Sequence, residues 1–327
     1  MSTLLDRHGR VKRKLRVSLT DRCNLSCPYC MPEQPQWLPR RELLSFEEWL
    51  QVLRVMVGAL GITHLRLTGG EPLLRRGLAG FVQLLQPLRE LGLRRISLTT
   101  NGVLLAAQAE PLRAAGLDDL NVSLDTLDPA HFGRLSGGRG SLQQVLDGIG
   151  AARASGLPVK LNCVVIRGYN ENDVLPLARW AAGEDLPLRF IEFMPLDGRG
   201  EWSAERVVGE DEILQSLARE FRVEPQPRDS DPATYYLLDG RYRLGVISTI
   251  SKPFCASCDR IRVTATGELY ACLFSARGRD LRTPLRAGAT GAELAQIVRA
   301  HVWHKEPGYA AQPGYVERPL TMHALGG

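Results

Sequence analysis

The fold class that the sequence predicts is α/β: an incomplete (β/α)6 TIM-like barrel with a C-terminal cluster-binding domain containing a small antiparallel sheet. Three observations carry it. One phrase recurs, a helical stretch, a glycine, one or two residues and a β-rich run, in "ALGITHLRLTGG", "ELGLRRISLTTNG", "AAGLDDLNVSLD" and "ASGLPVKLNCVVI". The runs "HLRL", "RISL", "LNVSL", "LNCVVI" and "RFIEF" alternate polar and apolar residues more than a doubly buried strand would. A lumen lined with binding groups explains that. Finally, the tails "TDRC", "TGGEP", "TTNG", "SLD" and "MPLDG" all fall at strand C-terminal ends, the edge that carries chemistry in βα barrels.

In chain order, strands are expected near 14–19, 64–68, 95–99, 119–123, 159–166 and 188–193. Gly61, Gly92, Gly116 and Gly156 occupy the positions where a helix ends and positive φ is wanted. Ser45-x-x-Glu48 and Ser141-x-x-Gln144 read as capping boxes before amphipathic runs. Beyond about residue 200 the repeat is lost. "EPQPRDSDPATYY" is a connector, and "YRLGVIST" and "RIRVTATGELYACLF" look like short antiparallel strands. We expect a partial barrel over 1–222 and a C-terminal domain over 223–327 that caps one opening.

The bulk composition narrows the function classes. No apolar run approaches a membrane span, and the basic N-terminus lacks a signal-peptide core, so a cytoplasmic protein is expected. In that reducing compartment the seven cysteines are read as metal ligands or buried thiols. The net charge of +5 (41 Lys+Arg minus 36 Asp+Glu) suits an anionic substrate. Arg7, Arg10, Lys12, Arg13, Lys14 and Arg16 form the densest basic run, which by itself reads as a solvated arm.

Cys23, Cys27 and Cys30 stand at C-x3-C-x2-C in "SLTDRCNLSCPYCMP". Three thiolates on a 4Fe–4S cluster leave one iron open to a further ligand. The same thiols also fit a structural zinc with a distant fourth ligand. Tyr29 directly before the third cysteine, with "TGGEP" after the second strand, resembles the radical S-adenosylmethionine superfamily. The resemblance implies that the open iron chelates S-adenosylmethionine, whose reductive cleavage gives a 5′-deoxyadenosyl radical.

Cys255, Cys258 and Cys272 repeat the pattern at C-x2-C-x13-C. A zinc ribbon missing one ligand is the bland alternative. Together with "LRVSLTDRCNLSCPYCMP", "RLTGGEPLLRR", "LTTNG", "NVSLDTLD", "VKLNCV", "RFIEFMPL" and the closing "GG", the chain is similar throughout to the MoaA family of GTP 3′,8-cyclases of molybdenum cofactor biosynthesis. That resemblance implies a radical cyclisation of GTP to (8S)-3′,8-cyclo-7,8-dihydroguanosine 5′-triphosphate, with guanine on the second cluster's open iron. It places S-adenosylmethionine on Tyr29, Gly70, Ser123 and Met194, and GTP on Arg16, Arg66, Thr99, Lys160, Arg260, Ile261 and Arg262.

Arg189 joins the GTP set because several cations converging from different strands suit a triphosphate. The resemblance gives Gly326 and Gly327 a catalytic role, reaching into the barrel near substrate. It further implies two 4Fe–4S clusters, an external one-electron reductant of flavodoxin or ferredoxin type, and a downstream cyclic pyranopterin monophosphate synthase taking the product. Neither nucleic acid nor membrane is an expected partner, and a homodimer is compatible. One departure from the family is His64, where members carry lysine, which weakens an expected phosphate contact. Cys163 reads as a buried thiol, and His301 and His304 as surface residues. A peptide-modifying radical enzyme with an auxiliary cluster, and a zinc- and nucleic-acid-binding protein, are the alternatives.

Overall fold

The structure is a computed structural model that describes residues 3–228, 231–309 and 321–326. The repeat does become strands: β1 (Lys14–Ser18), β2 (His64–Thr68), β3 (Arg95–Thr100), β4 (Asp119–Ser123), β5 (Val159–Val165) and β6 (Leu188–Glu192). Both capping boxes form, in front of the helices Phe46–Arg54 and Leu142–Ala154. The four glycines take φ values of 74°, 111°, 93° and 77°, which a residue bearing Cβ reaches only with strain.

The C-terminal part supplies β7 (Val223–Pro225), β8 (Thr234–Leu238), β9 (Tyr242–Ile247), β10 (Arg260–Val263), β11 (Glu268–Tyr270) and β12 (Arg279–Asp280). All twelve strands among the described residues join one sheet, in the order β12-β11-β10-β1-β2-β3-β4-β5-β6-β9-β8-β7. The expected antiparallel pair forms between β10 and β11, whereas β7 and β8 arise partly within the segment read as a connector, where β8 pairs antiparallel with β9. The inner strands of both pairs also lie parallel to the barrel, β10 on β1 and β9 on β6. The C-terminal segment therefore extends both edges of the six-stranded wall. The physical reason is that a parallel edge strand leaves a row of unpaired backbone groups, and β9 and β10 satisfy them.

Alternation divides each strand between two environments. Leu15, Val17, Leu65, Leu67, Ile96, Leu98, Leu161 and Phe190 point outward into the core under the helices, each fully buried. Each such side chain contributes about 1.5–3 kcal/mol. Cys163 lies in the same layer. The polar residues between them face inward. Among the described residues no helix is long and apolar enough to cross a membrane.

The basic arm departs from its sequence reading. Arg10 and Lys12 are buried rather than solvated, because both pair with buried Asp6, at 2.6 and 2.8 Å. His301 is half-buried and His304 exposed.

Candidate active site

A cavity of about 490 Å³ occupies the lumen. The parallel register stacks its polar lining in rows. Lys14, His64, Arg95 and Arg260 form the lowest, and Arg16, Arg66, Ser97, Asp119 and Arg262 the next. Thr99, Asn121 and Lys160 follow, then Ser123, Asn162 and Arg189. All of these side chains line one cavity, so the residues expected from separate strands do converge. Ile261 is the exception in kind: its side chain joins the core, leaving its backbone between Arg260 and Arg262.

Cations dominate the lower rows. Burial and the neighbouring Arg262, Arg66, Arg260 and Arg189 push the Arg16 guanidinium well below its usual range. Burial also lowers Arg66 to about 10, and burial with Arg189 and Arg95 lowers Lys160. Asp119 answers part of this charge, accepting from Arg95 Nε at 2.5 Å and Ser97 Oγ at 2.8 Å. Like charges held this close in a poorly solvated space favour a polyanionic ligand. Arg66 donates to Thr99 Oγ1 at 3.3 Å. His64 is half-buried, and burial with Lys14 and Arg95 lowers its pKa, so it adds little charge at neutral pH. Asn121 is buried in the middle of the lumen, with Oδ1 unpartnered. Sequence reasoning passed over it.

The first thiol set follows β1 at the upper edge. Cys30 and Met31 turn their backbone N–H groups onto the Cys27 carbonyl at 3.1 and 3.0 Å. Burial pushes Cys23 up to about 11 and raises Cys27 and Cys30 further, with the three sulfurs repelling one another as anions. Leu25 N–H donates to Cys23 Sγ at 3.4 Å, and Asn101 Nδ2 lies 3.7 Å from it. Tyr29 donates its hydroxyl to Asp125 Oδ2 at 2.6 Å. Gly70, Ser123 and Met194 line the same end of the cavity.

Gly69 and Gly70 of the "GGEP" turn line the cavity and also pack against the cysteine loop. A Cβ on Gly69 would stand 2.7 Å from the Thr20 carbonyl oxygen, and Glu71 is buried against protein. The Glu71 carboxylate accepts from Leu73 N, Thr100 Oγ1 and Asn101 N, tying the turns after β2 and β3 together. Arg199, which sequence reasoning missed, clamps the cysteine loop through the Ser26 and Met31 carbonyls at 2.9 and 3.3 Å.

The second set lies at the lower edge. Cys258 precedes β10, whose Arg260 pairs with Lys14 at the start of β1, and Cys272 follows β11. Five-residue strands rising about 3.3 Å per residue separate the two edges by roughly 15 Å. The cationic rows lie between. Cys255 and Cys258 flank one 3-10 turn, and Phe274 N–H donates to Cys272 Sγ at 3.4 Å. Arg10 donates to the Cys255 carbonyl and Lys12 to that of Cys258, at 2.8 and 2.6 Å. Burial opposes ionisation of Cys258, but Lys305 and Arg260 outweigh it and lower the thiol to about 7.

Among the described residues no three His, Cys, Asp or Glu side chains surround a point as a single ion requires. Each thiol set lines an open part of the lumen, and backbone N–H donors reach Cys23 in the first and Cys272 in the second, which fits a polynuclear cluster.

The tail also reaches the site. The helix Met322–Leu325 buries Leu325, and Gly326 sits at φ 78° beside Thr68 and Ser18, its carbonyl 3.4 Å from Arg262 Nη1. Gly327 lies outside the described residues.

Comparisons with known proteins converge on one group. Residues 17–181 match the radical SAM superfamily model, and residues 186–311 match the Molybdenum Cofactor Synthesis C model. A "GTP 3′,8-cyclase" of Streptomyces coelicolor is 45% identical, covering 99% of this chain and 96% of its own. One from Mycobacterium marinum is 46% identical, covering 99% and 92%. In fold, the chain resembles SuiB of Streptococcus suis bound to precursor peptide SuiA, with a TM-score of 0.63 and 13% identity, covering 93% of this chain and 67% of that one.

Proposed function

The chain belongs to the GTP 3′,8-cyclase family of the radical S-adenosylmethionine superfamily, and from that premise we propose how its residues divide the work. The activity is conversion of GTP to (8S)-3′,8-cyclo-7,8-dihydroguanosine 5′-triphosphate, the first step of molybdenum cofactor biosynthesis, with two 4Fe–4S clusters and S-adenosylmethionine. When bound, these groups supply one-electron reduction and hydrogen-atom abstraction.

Cys23, Cys27 and Cys30 hold the first cluster at the upper edge, and Tyr29, Gly70, Ser123 and Met194 hold S-adenosylmethionine beside it. Cys255, Cys258 and Cys272 hold the second at the lower edge. GTP lies between, with Arg16, Arg66, Lys160, Arg189, Arg260 and Arg262 opposing its phosphates and Thr99 and the Ile261 backbone fixing its uncharged part. Gly326 and Gly327 complete the catalytic set. The single observation carrying this division is one lumen with a three-thiol set at each edge and a buried cationic belt between. The belt holds the ribose in reach of the upper edge, and the wall excludes water that would quench a radical.

Residues 1–222 form the barrel unit in this proposal and 223–327 the unit of the second cluster, since β7–β12 all follow residue 222. An external one-electron reductant of flavodoxin or ferredoxin type, a downstream cyclic pyranopterin monophosphate synthase, a homodimeric state and a cytoplasmic setting complete it. Burial of Arg10 and Lys12 removes them from any nucleic-acid surface. The likeness to the peptide-bound SuiB is one of fold alone.

The test separates the two edges. Cys27→Ser abolishes S-adenosylmethionine cleavage, whereas Cys258→Ser leaves uncoupled cleavage and eliminates GTP cyclisation in an anaerobic dithionite assay. Normal cyclisation by Cys258→Ser overturns the division.

A further inference from the structure

Lys305 belongs to neither thiol set and to none of the cationic rows. It follows the helix Gly291–Trp303, and the residue is 4% exposed. Its Nζ lies 3.2 Å from Cys258 Sγ and 3.0 Å from the Arg260 carbonyl oxygen. One ammonium thus joins a ligand sulfur to the strand that carries Arg260 and Arg262 into the lumen. Three residues on, a Cβ at Gly308 would stand 2.7 Å from Cys255 Cβ, so the same segment also lies against a second ligand.

Charge around this loop is lopsided. Lys305, Lys12 and Arg10 are set against Asp6, which Lys12 and Arg10 share. Asp259 is taken up by Lys14 and Arg260, at 3.0 and 3.5 Å. Five cations thus face two carboxylates beside the thiols. A 4Fe–4S core bound by three thiolates carries one net negative charge when oxidised and two when reduced. A fixed buried cation, and a hydrogen bond to a ligand sulfur, therefore stabilise the reduced form more. The buried Lys305 ammonium is in direct contact with a sulfur.

We propose that Lys305 is a positioning residue of the second cluster: its ammonium donates to the Cys258 thiolate, raises the reduction potential of that cluster, and keeps the ligand loop in register with the substrate-facing strand. The proposal rests on the Cys255, Cys258 and Cys272 set holding a cluster.

The experiment is an anaerobic redox titration of the reconstituted full-length enzyme, following each cluster by electron paramagnetic resonance. Lys305→Met, Lys305→Gln and Lys305→Arg are compared with the wild type. The expected result is a lower second-cluster midpoint in Lys305→Met, with the reduced-to-oxidised ratio at the wild-type midpoint falling about tenfold, or 59 mV for one electron. Lys305→Arg restores most of it, and the first cluster's midpoint stays put. If Lys305→Met loses its second cluster, Lys305→Gln against Lys305→Arg decides by the same criterion. An unchanged second-cluster midpoint without the charge, or an arginine that restores nothing, overturns the inference alone. Wild-type protein holding no second cluster overturns the underlying cluster assignment as well.

Discussion

Gly70 presses on Arg22 so closely that a Cβ there would stand 2.4 Å from the Arg22 carbonyl oxygen. The turn after β2 is thereby the seat of the first cysteine loop, held by Gly70 N–H to the Thr20 carbonyl at 2.7 Å and Glu71 N–H to that of Arg22 at 2.7 Å.

Gly70→Ala should displace that loop while sparing the opposite edge. Overpacking against backbone costs about 1–3 kcal/mol. Iron per chain after reconstitution should drop by about half, with the second cluster's signal retained. Full iron and normal S-adenosylmethionine cleavage would show that the loop yields without consequence.

Arg66→Ala and Lys160→Ala should weaken GTP more than guanosine. Each removes one charge-assisted contact in a half-buried site, a loss of about 1.5–3 kcal/mol. Because Arg189 and Arg95 repel Lys160, thermal stability of Lys160→Ala without nucleotide should not fall. Equal losses for both ligands in equilibrium binding would take the two residues out of the phosphate site.

The tail gives a sharper case. Gly326 leaves 2.2 Å between a would-be Cβ and Thr68 Oγ1, at a φ only glycine adopts freely. Deleting Gly326 and Gly327 should leave folding, both clusters and GTP binding largely intact. Cyclisation should fall steeply while some S-adenosylmethionine cleavage persists. Wild-type product from the truncated chain would reduce the two glycines to a loose end.

Stability should depend on pH through Glu71. Burial raises its pKa from 4.5 to about 7, against the pull of its three hydrogen-bond donors. The folded state then binds a proton that the unfolded state releases between those values. Its contribution is fully present below about pH 4.5 and is lost as pH rises to about 7, by roughly 3 kcal/mol. Asp125, raised by burial to about 6, has the same sign. Asp6 is held near 2 by Lys12 and Arg10 despite its burial, and acts only in stronger acid. Urea midpoints of iron-free Glu71→Gln should therefore be flatter across pH 4.5–7 than wild type. An identical slope would remove Glu71 as the cause.

The sequence by itself determined what is local or periodic. Glycines at helix ends, the capping boxes at Ser45 and Ser141, and the polar–apolar alternation of β1–β6 act over a few residues, so their outcome is written where they stand. The two C-x2–3-C spacings are legible for the same reason, since one turn brings the thiols together.

Tertiary structure decided what depends on partners distant in the chain. The "GGEP" glycines turned out to seat the cysteine loop because Arg22 and Thr20 arrive from β1. Arg10 and Lys12 read as a solvated arm because nothing local marks Asp6 as buried; only docking against Cys255 and Cys258 takes that ion-paired group out of water. Lys305, hidden in a segment notable for its histidines, meets Cys258 across 47 residues. Likewise β9 and β10 become barrel-edge strands because β6 and β1 offer unpaired backbone, a demand set by the assembled sheet and invisible in either segment.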